Sequence, residues 1–132
     1  MSGGGPSAPP GGFLPGAHEI EGYGAGGFRF AGMSHRGSIL ALPSGVYAWD
    51  AREPADITIE SLARVFAEPR GAIEHLLVGV GERLVPLDPE LLRRLREAGI
   101  RPEPMQTGAA ARTYPILLGE RRRVAAALLA TP

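Results

Sequence analysis

The sequence predicts an α/β fold: a single three-layer domain with a central mixed β-sheet flanked by helices, plus an N-terminal β-hairpin. Three observations predict it. The second half alternates apolar, strand-like runs with amphipathic helical stretches. Two of those runs, His75 to Gly81 and Arg123 to Ala130, are apolar almost without interruption, as strands covered on both faces are. The first half carries two strand-like runs joined by Pro43-Ser44-Gly45, a hairpin signal. At 132 residues, 44% of them hydrophobic, the chain has room for one core and no second domain.

Met1 to about Ala17 holds Gly3-Gly4-Gly5, Pro9-Pro10 and Gly11-Gly12, with too few large apolar side chains to offset the entropy of ordering it. It reads as a flexible Gly/Pro-rich tail over 1–17, and the α/β domain is expected over 18–132. The tail lacks the basic start and apolar run of a secretory signal, and no later run reaches bilayer-spanning length. A cytoplasmic protein with no direct membrane insertion is therefore expected, and the Ala/Gly/Arg-rich, Lys-free composition suits a GC-rich bacterial genome.

Each element has its own warrant. Glycines in Glu19 to Gly24 turn the chain into a short strand around Phe28-Arg29-Phe30-Ala31, where Phe and Arg alternate as on a half-buried strand. Met33 to Gly37 reads as a loop. Ser38 to Leu42 and Val46 to Trp49 form the hairpin, with Gly45 placed to adopt positive φ and with Tyr47 and Trp49 as packing anchors. Thr58 can N-cap a helix through Ala67, since Ile59, Leu62, Val65 and Phe66 share a stripe and Pro69-Arg70-Gly71 follows as a stop. His75 to Gly81 is a central strand. Asp88-Pro89-Glu90 supplies a cap, a first-turn Pro and an acid at the positive helix end, and Gly99 the stop, giving a helix from Pro89 to Ala98. Prolines at 102 and 104, two residues apart, put their missing N–H groups on one side of a strand from Ile100 to Met105, which makes it an edge. A helix from about Gly108 to Leu118, with Thr107 as N-cap, leads to the last central strand.

Five segments occur in order: Gly26-Gly27-Phe28-Arg29-Phe30, Leu42-Pro43-Ser44-Gly45, Leu77-Val78-Gly79-Val80-Gly81, Met105-Gln106-Thr107-Gly108-Ala109-Ala110 and Arg122-Arg123-Val124-Ala125-Ala126. Together, over Glu19 to Thr131, they resemble the domain of unknown function 498 family, with its Mth-like fold. The resemblance implies a three-layer fold around a mixed sheet and kinship with the mitochondrial NADH:ubiquinone oxidoreductase (complex I) assembly factor three, which acts by protein association. It brings no established catalytic residues. Val80 stands where the family often has Thr, and Pro115 where Asn often follows the Tyr. Both departures remove a polar group from a suspected crevice.

Composition excludes several chemistries. Net charge is zero and all 14 basic residues are Arg, so no Lys is present for Schiff-base chemistry or a Walker-type phosphate site, and non-specific nucleic-acid binding is not expected. No Cys means no disulfide, thiolate nucleophile or zinc–thiolate site. His18, His35 and His75 stand alone, without a second His at ligand spacing, so no metal is expected and each reads as a solvated or capped side chain. No Ser lies in a Gly-x-Ser-x-Gly elbow. Arg121-Arg122-Arg123 reads either as an interaction patch or as a charged rim with one Arg turned inward to a carboxylate.

Two places keep a ligand in view. Gly79-Val80-Gly81 ends a strand where α/β folds place phosphates, although six residues intervene before the Asp88 cap, unlike the dinucleotide fingerprint. Thr107, Gly108 and Arg112 begin the next helix, a geometry that holds an anion or simply starts a helix. The expected function is that of a non-enzymatic, protein-binding or assembly-factor-like domain without cofactor, its partner in a respiratory or membrane-associated complex. The alternative is a small-anion or nucleotide-binding enzyme whose crevice lies between Gly79–Gly81 and Thr107–Arg112, with Gly79, Gly81, Thr107, Gly108 and Arg112 as the ligand-binding residues.

Overall fold

The computed structural model describes residues 14–132; most of the stretch read as a tail, up to Phe13, lies outside the described residues. Within its last part, β1 (Leu14–Pro15) pairs antiparallel with the hairpin strand at Gly45 and Val46. Three short antiparallel strands follow: β2 (Ile20–Gly24), β3 (Gly27–Phe30) and β4 (Met33–Arg36). Two of these differ from the sequence reading. Ile20–Gly24 is a strand with a bulge between Ile20 and Gly22, and Met33 to Gly37 is largely strand, not loop.

The hairpin is β5 (Ser38–Leu42) and β6 (Gly45–Trp49). Leu42 pairs with Gly45, so the connector is only Pro43-Ser44, and Gly45 is not among the residues of positive φ. Gly45 continues the ladder where a turn glycine was expected. The next helix, α1, covers only Ala63–Ala67. Thr58 is not its N-cap, which is Leu62; instead Thr58 Oγ1 accepts from Ser61 N at 3.0 Å while Ser61 Oγ accepts from Thr58 N at 3.0 Å. That reciprocal exchange closes a turn over residues 59–62 in place of the expected first helical turn. Leu62 and Val65 still bury as the stripe requires.

The remaining elements follow the predicted order: β7 (His75–Gly79), α2 (Pro89–Glu97), β8 (Arg101–Met105), α3 (Thr107–Gly119) and β9 (Val124–Leu128). Asp88 accepts from Glu90 N, and Gly99, at φ +81°, stops α2. The larger sheet runs β1-β6-β5-β9-β7-β8, with β9, β7 and β8 parallel and the rest antiparallel. β8 is an edge, as its prolines demand. Arg101 N donates to Glu74 O at 2.9 Å and Met105 O accepts from Val80 N at 2.9 Å, so alternate residues bond inward and Pro102 and Pro104 face the open side.

Strands β5, β7 and β9 are buried along their whole length. One face meets α1 and α2 through Leu40, Leu76, Val78, Ala125, Ala127, Leu91 and Leu95. The other meets α3 and the small sheet through Ile39, Leu77, Ala126, Leu128, Tyr114, Phe28 and Phe30. These are the three layers, with the small sheet sharing one outer layer with α3.

Tyr114 sits wholly inside the second of these cores, and its hydroxyl has no protein partner among the described residues. Burial pushes its pKa up to about 12. The folded state therefore holds this proton where the unfolded chain releases it, and stability contributed here is lost as pH rises from about 10 to about 12. Tyr114→Phe is expected to raise stability by about 1 kcal/mol and to flatten that alkaline loss, as measured by urea unfolding across the alkaline range.

Candidate functional site

Parallel strands β7 and β8 end side by side at Gly79 and Met105. Chain direction then places Thr107 between the ends of three strands. Its N donates to Gly81 O at 2.9 Å, and its Oγ1 accepts from Gly81 N and donates to Leu129 O, each at 2.9 Å. Leu129 N closes the ring by donating to Gly79 O at 2.9 Å. The expected capping role is thus corrected: Gln106 is the N-cap, without a side-chain cap bond, and Thr107 is the first helical residue with its hydroxyl turned into the sheet. Gln106 Nε2 donates instead to Glu82 O at 2.8 Å.

Gly79 makes this junction possible. A Cβ there would lie 2.9 Å from Thr107 Cα and 3.0 Å from a Leu128 methyl, so helix α3 starts hard against the strand only because β7 ends in glycine. Gly79 and Thr107, two of the five residues singled out from the sequence, are consumed in packing. Gly81, Gly108 and Arg112 come together on the other side of the junction. With Tyr23 and Gln106 they line an open cleft of about 660 Å³.

Gly81 turns the chain at φ +105°, and both of its backbone polar groups bond to Thr107. Arg112 Nη1 donates to Tyr23 OH at 2.7 Å, which spans from the small sheet to α3. A Cβ on Gly108 would meet that phenol oxygen at 2.6 Å. Tyr23 is 44% exposed and Leu84, on the following loop, 65% exposed. The amides of Gly108 and Ala109, in the first turn, have no protein acceptor among the described residues. Donors from Arg112 and the helix start thus share the cleft with the exposed Tyr23 ring. Sequence reasoning missed Tyr23, whose signal was an aromatic flanked by glycines in Gly22-Tyr23-Gly24.

A second polar cluster lies at the other end of the parallel strands. His75 is 6% exposed, with Nδ1 at 2.7 Å from Glu103 Oε2 and Nε2 at 2.8 Å from Arg122 Nη2. A guanidinium only donates, so the Arg122 contact makes Nε2 the acceptor and assigns the ring proton to Nδ1, from which Glu103 accepts it. The reading of His75 as solvated or capped is corrected, and the arginine run is an exposed rim in which Arg122 donates to the imidazole and Arg122 and Arg123 each lie 4.0 Å from Glu74 Oε1. His35 packs tilted against Phe30, and burial lowers its pKa against an opposing hydrogen bond to the Ser38 backbone. Among the described residues no three His, Asp or Glu side chains are grouped to hold a metal ion.

A family model described as "Protein of unknown function (DUF498/DUF598)" matches residues 20–129. The chain belongs to this family. An uncharacterized protein of Rhodobacter capsulatus is 40% identical over 89% of the chain and 88% of its own length. The NADH dehydrogenase [ubiquinone] 1 alpha subcomplex assembly factor 3 of Xenopus tropicalis is 36% identical over 83% of the chain. The chain spans only 60% of that assembly factor's length. A crystal structure described as an outer membrane protein from Bartonella henselae superposes with a TM-score of 0.86 at 49% identity, covering 90% of this chain and 99% of that one. A Bordetella pertussis protein described as a Mth938-like domain does so with a TM-score of 0.74 at 36% identity, covering 85% of each chain. The DUF498 membership and Mth-like α/β fold expected from the sequence are both found. Among the described residues no helix is long and apolar enough to cross a membrane.

Thr107 is the residue to test. Thr107→Val removes one hydroxyl and strands both the Gly81 amide and the Leu129 carbonyl, so a loss of about 2–4 kcal/mol is expected in urea unfolding, against about 1 kcal/mol for a mere cap. Gly79→Ala should cost about 1–3 kcal/mol by overpacking the same junction.

Proposed function

We propose that this domain is assembly-factor-like: it binds another protein and performs no chemistry of its own, and the cleft bounded by Tyr23, Gly81, Gly108 and Arg112 is where that partner is gripped. One observation carries the reading. The hydroxyl and amide at the strand ends that a reacting ligand would use are spent on one another, Thr107 Oγ1 on Gly81 N and Leu129 O, whereas the exposed groups are those of a contact surface. An exposed aromatic, Tyr23, and an arginine, Arg112, around an open cleft are what interfaces favour.

The relatives named as complex I assembly factors support the same reading. By extension from them, the partner belongs to a respiratory or membrane-associated complex, and the domain acts from the cytoplasm without inserting in the bilayer. The domain boundary near residue 18 is part of the same proposal, with β1 (Leu14–Pro15) pairing to β6 from just outside it.

The small-anion reading, with Gly79, Gly81, Thr107, Gly108 and Arg112 as its binding set, is tested by an NMR titration of the full chain with phosphate, nucleotides and carboxylic acids. Unmoved amides at 81, 108 and 112 are expected; saturable shifts confined to them would replace the scaffold reading with an enzyme's. In parallel, a Tyr23→Ala/Arg112→Glu variant in the native cell should lose a stoichiometric partner recovered with the wild type, while its melting temperature stays close to that of the wild type. Retention of the same partner would remove the cleft from the proposal.

A further inference from the structure

The outer face of the small sheet meets solvent at Arg29, Ser34 and Arg36, and the charged side chains in its paired rows are both Arg. Pairing sets Gly22, Arg29 and Ser34 in one cross-strand row and Gly24, Gly27 and Arg36 in the next. Side chains alternate along a strand, so all six lie on the face opposite the buried Phe28 and Phe30. Arg29 and Arg36 are exposed, and among the described residues neither makes an ion pair or a side-chain hydrogen bond. The one acid on these strands, Glu21, sits at the β2 bulge outside these rows, where its Oε1 accepts from the Gly32 amide at 3.2 Å.

Local geometry accounts for two of the glycines. Gly24 turns the chain at φ +114°, and a Cβ on Gly27 would fall 2.1 Å from the His35 carbonyl oxygen. Their consequence is a floor without side chains, flanked by two guanidinium groups, under an open trough of about 690 Å³. Arg29 pairs with Ser34, and Arg36 is two residues further along, so the arginines are diagonal cross-strand neighbours about 7–8 Å apart at the backbone. In an extended chain, side chains two residues apart on one face are separated by about 7 Å.

We propose that an extended, acidic segment of a partner protein docks on this face, carboxylates two residues apart pairing with Arg29 and Arg36 and its backbone lying over the glycine floor. The inference rests on the protein-binding reading and names the partner's chemistry. Charge complementarity selects this occupant over others. Residues 1–13 contain no Asp or Glu, so the chain's own N-terminal segment does not match. A second copy placed face to face would set arginines against arginines. Single-stranded nucleic acid needs exposed aromatic platforms, and here Phe28 is buried while Tyr23, held by Arg112, stands only at the rim toward the cleft. Tyr23 and Gly24 border both the trough and the Arg112 cleft, so one partner can engage both.

The test uses the full chain and a short fluorescein-labelled peptide of alternating Glu and Thr, with Lys–Thr and oligothymidylate strands as comparators. Saturable binding of the Glu peptide is expected, weakened by salt, with amide shifts at Gly22, Arg29, Ser34 and Arg36 and at least about tenfold weaker in Arg29→Glu/Arg36→Glu. The neutral Arg29→Gln/Arg36→Gln variant gives an intermediate loss and stands in if charge reversal unfolds the protein. Equal affinity in both variants, shifts only at Gly108 and Arg112, or tighter binding of oligothymidylate would each overturn it. A native partner still captured by the folded Arg29→Glu/Arg36→Glu variant overturns this inference while leaving the protein-binding reading intact.

Discussion

One buried hydroxyl fixes how the layers meet. Thr107 Oγ1 holds the chain leaving β7 through the Gly81 amide and the chain leaving β9 through the Leu129 carbonyl, while its own backbone begins α3 directly after β8. Three parallel strand ends and one helix start are thereby set relative to one another by bonds that water does not reach, because Thr107 is fully buried. Buried hydrogen bonds contribute modestly when made and cost about 1–3 kcal/mol for each group left unpaired, so the junction acts chiefly by penalising every other arrangement. Gly79 is its steric counterpart, since any side chain there would push α3 off the sheet.

From that junction the layering follows. Helix α3 joins β8 to β9 across β7, which lies between them in the sheet, so it must cover one face of β7; α2, joining β7 to β8, covers the other. Strand β9 can be buried between them because it is Val-Ala-Ala-Ala-Leu, with Ala125 and Ala127 toward α1 and α2 and Ala126 toward α3. Small side chains at the centre let both helical layers come close, and the larger Leu and Phe residues fill the periphery. What α3 leaves uncovered on its side is closed by Phe28 and Phe30 of the small sheet, which turns its glycines and arginines outward.

Local physics made much of this legible in the sequence. The Asp88-Pro89 cap, the Gly99 stop, the proline edge and the two fully apolar strands are each decided by neighbours within a few residues, and each is where it was expected. What escaped was decided at long range. Thr107 looks like a cap because it precedes a helix by pattern, yet its hydroxyl partners lie 26 and 22 residues away along the chain. Strands β2 and β4 are rich in glycine or polar residues and carry no alternation strong enough to distinguish them from turns; only pairing with β3 makes them strands. The His75–Glu103–Arg122 contact likewise needs the parallel register of β7, β8 and β9 before its members become neighbours. The cleft was half legible for the same reason: Gly81, Gly108 and Arg112 belong to one supersecondary unit, whereas Tyr23 arrives from a separate sheet.

The distribution of polar groups then bears on function. Some charges are satisfied locally: Arg93 bridges Glu90 and Glu97 on α2, Arg122 serves His75, and Arg123 serves the Gly71 carbonyl. Those contacts lie on the exposed side of α2 and at the end of the sheet away from the Thr107 junction. On the small sheet Arg29 and Arg36 lie outside any such pair, and Tyr23 is tied to Arg112 of α3. Surface ion pairs are worth little in stability, so their placement is cheap to rearrange, but an unpaired guanidinium costs nothing in water and gains most when a partner's carboxylate displaces that water. The acid-free rows of the small sheet's outer face therefore leave stability almost untouched while giving that face a positive sign toward whatever approaches it.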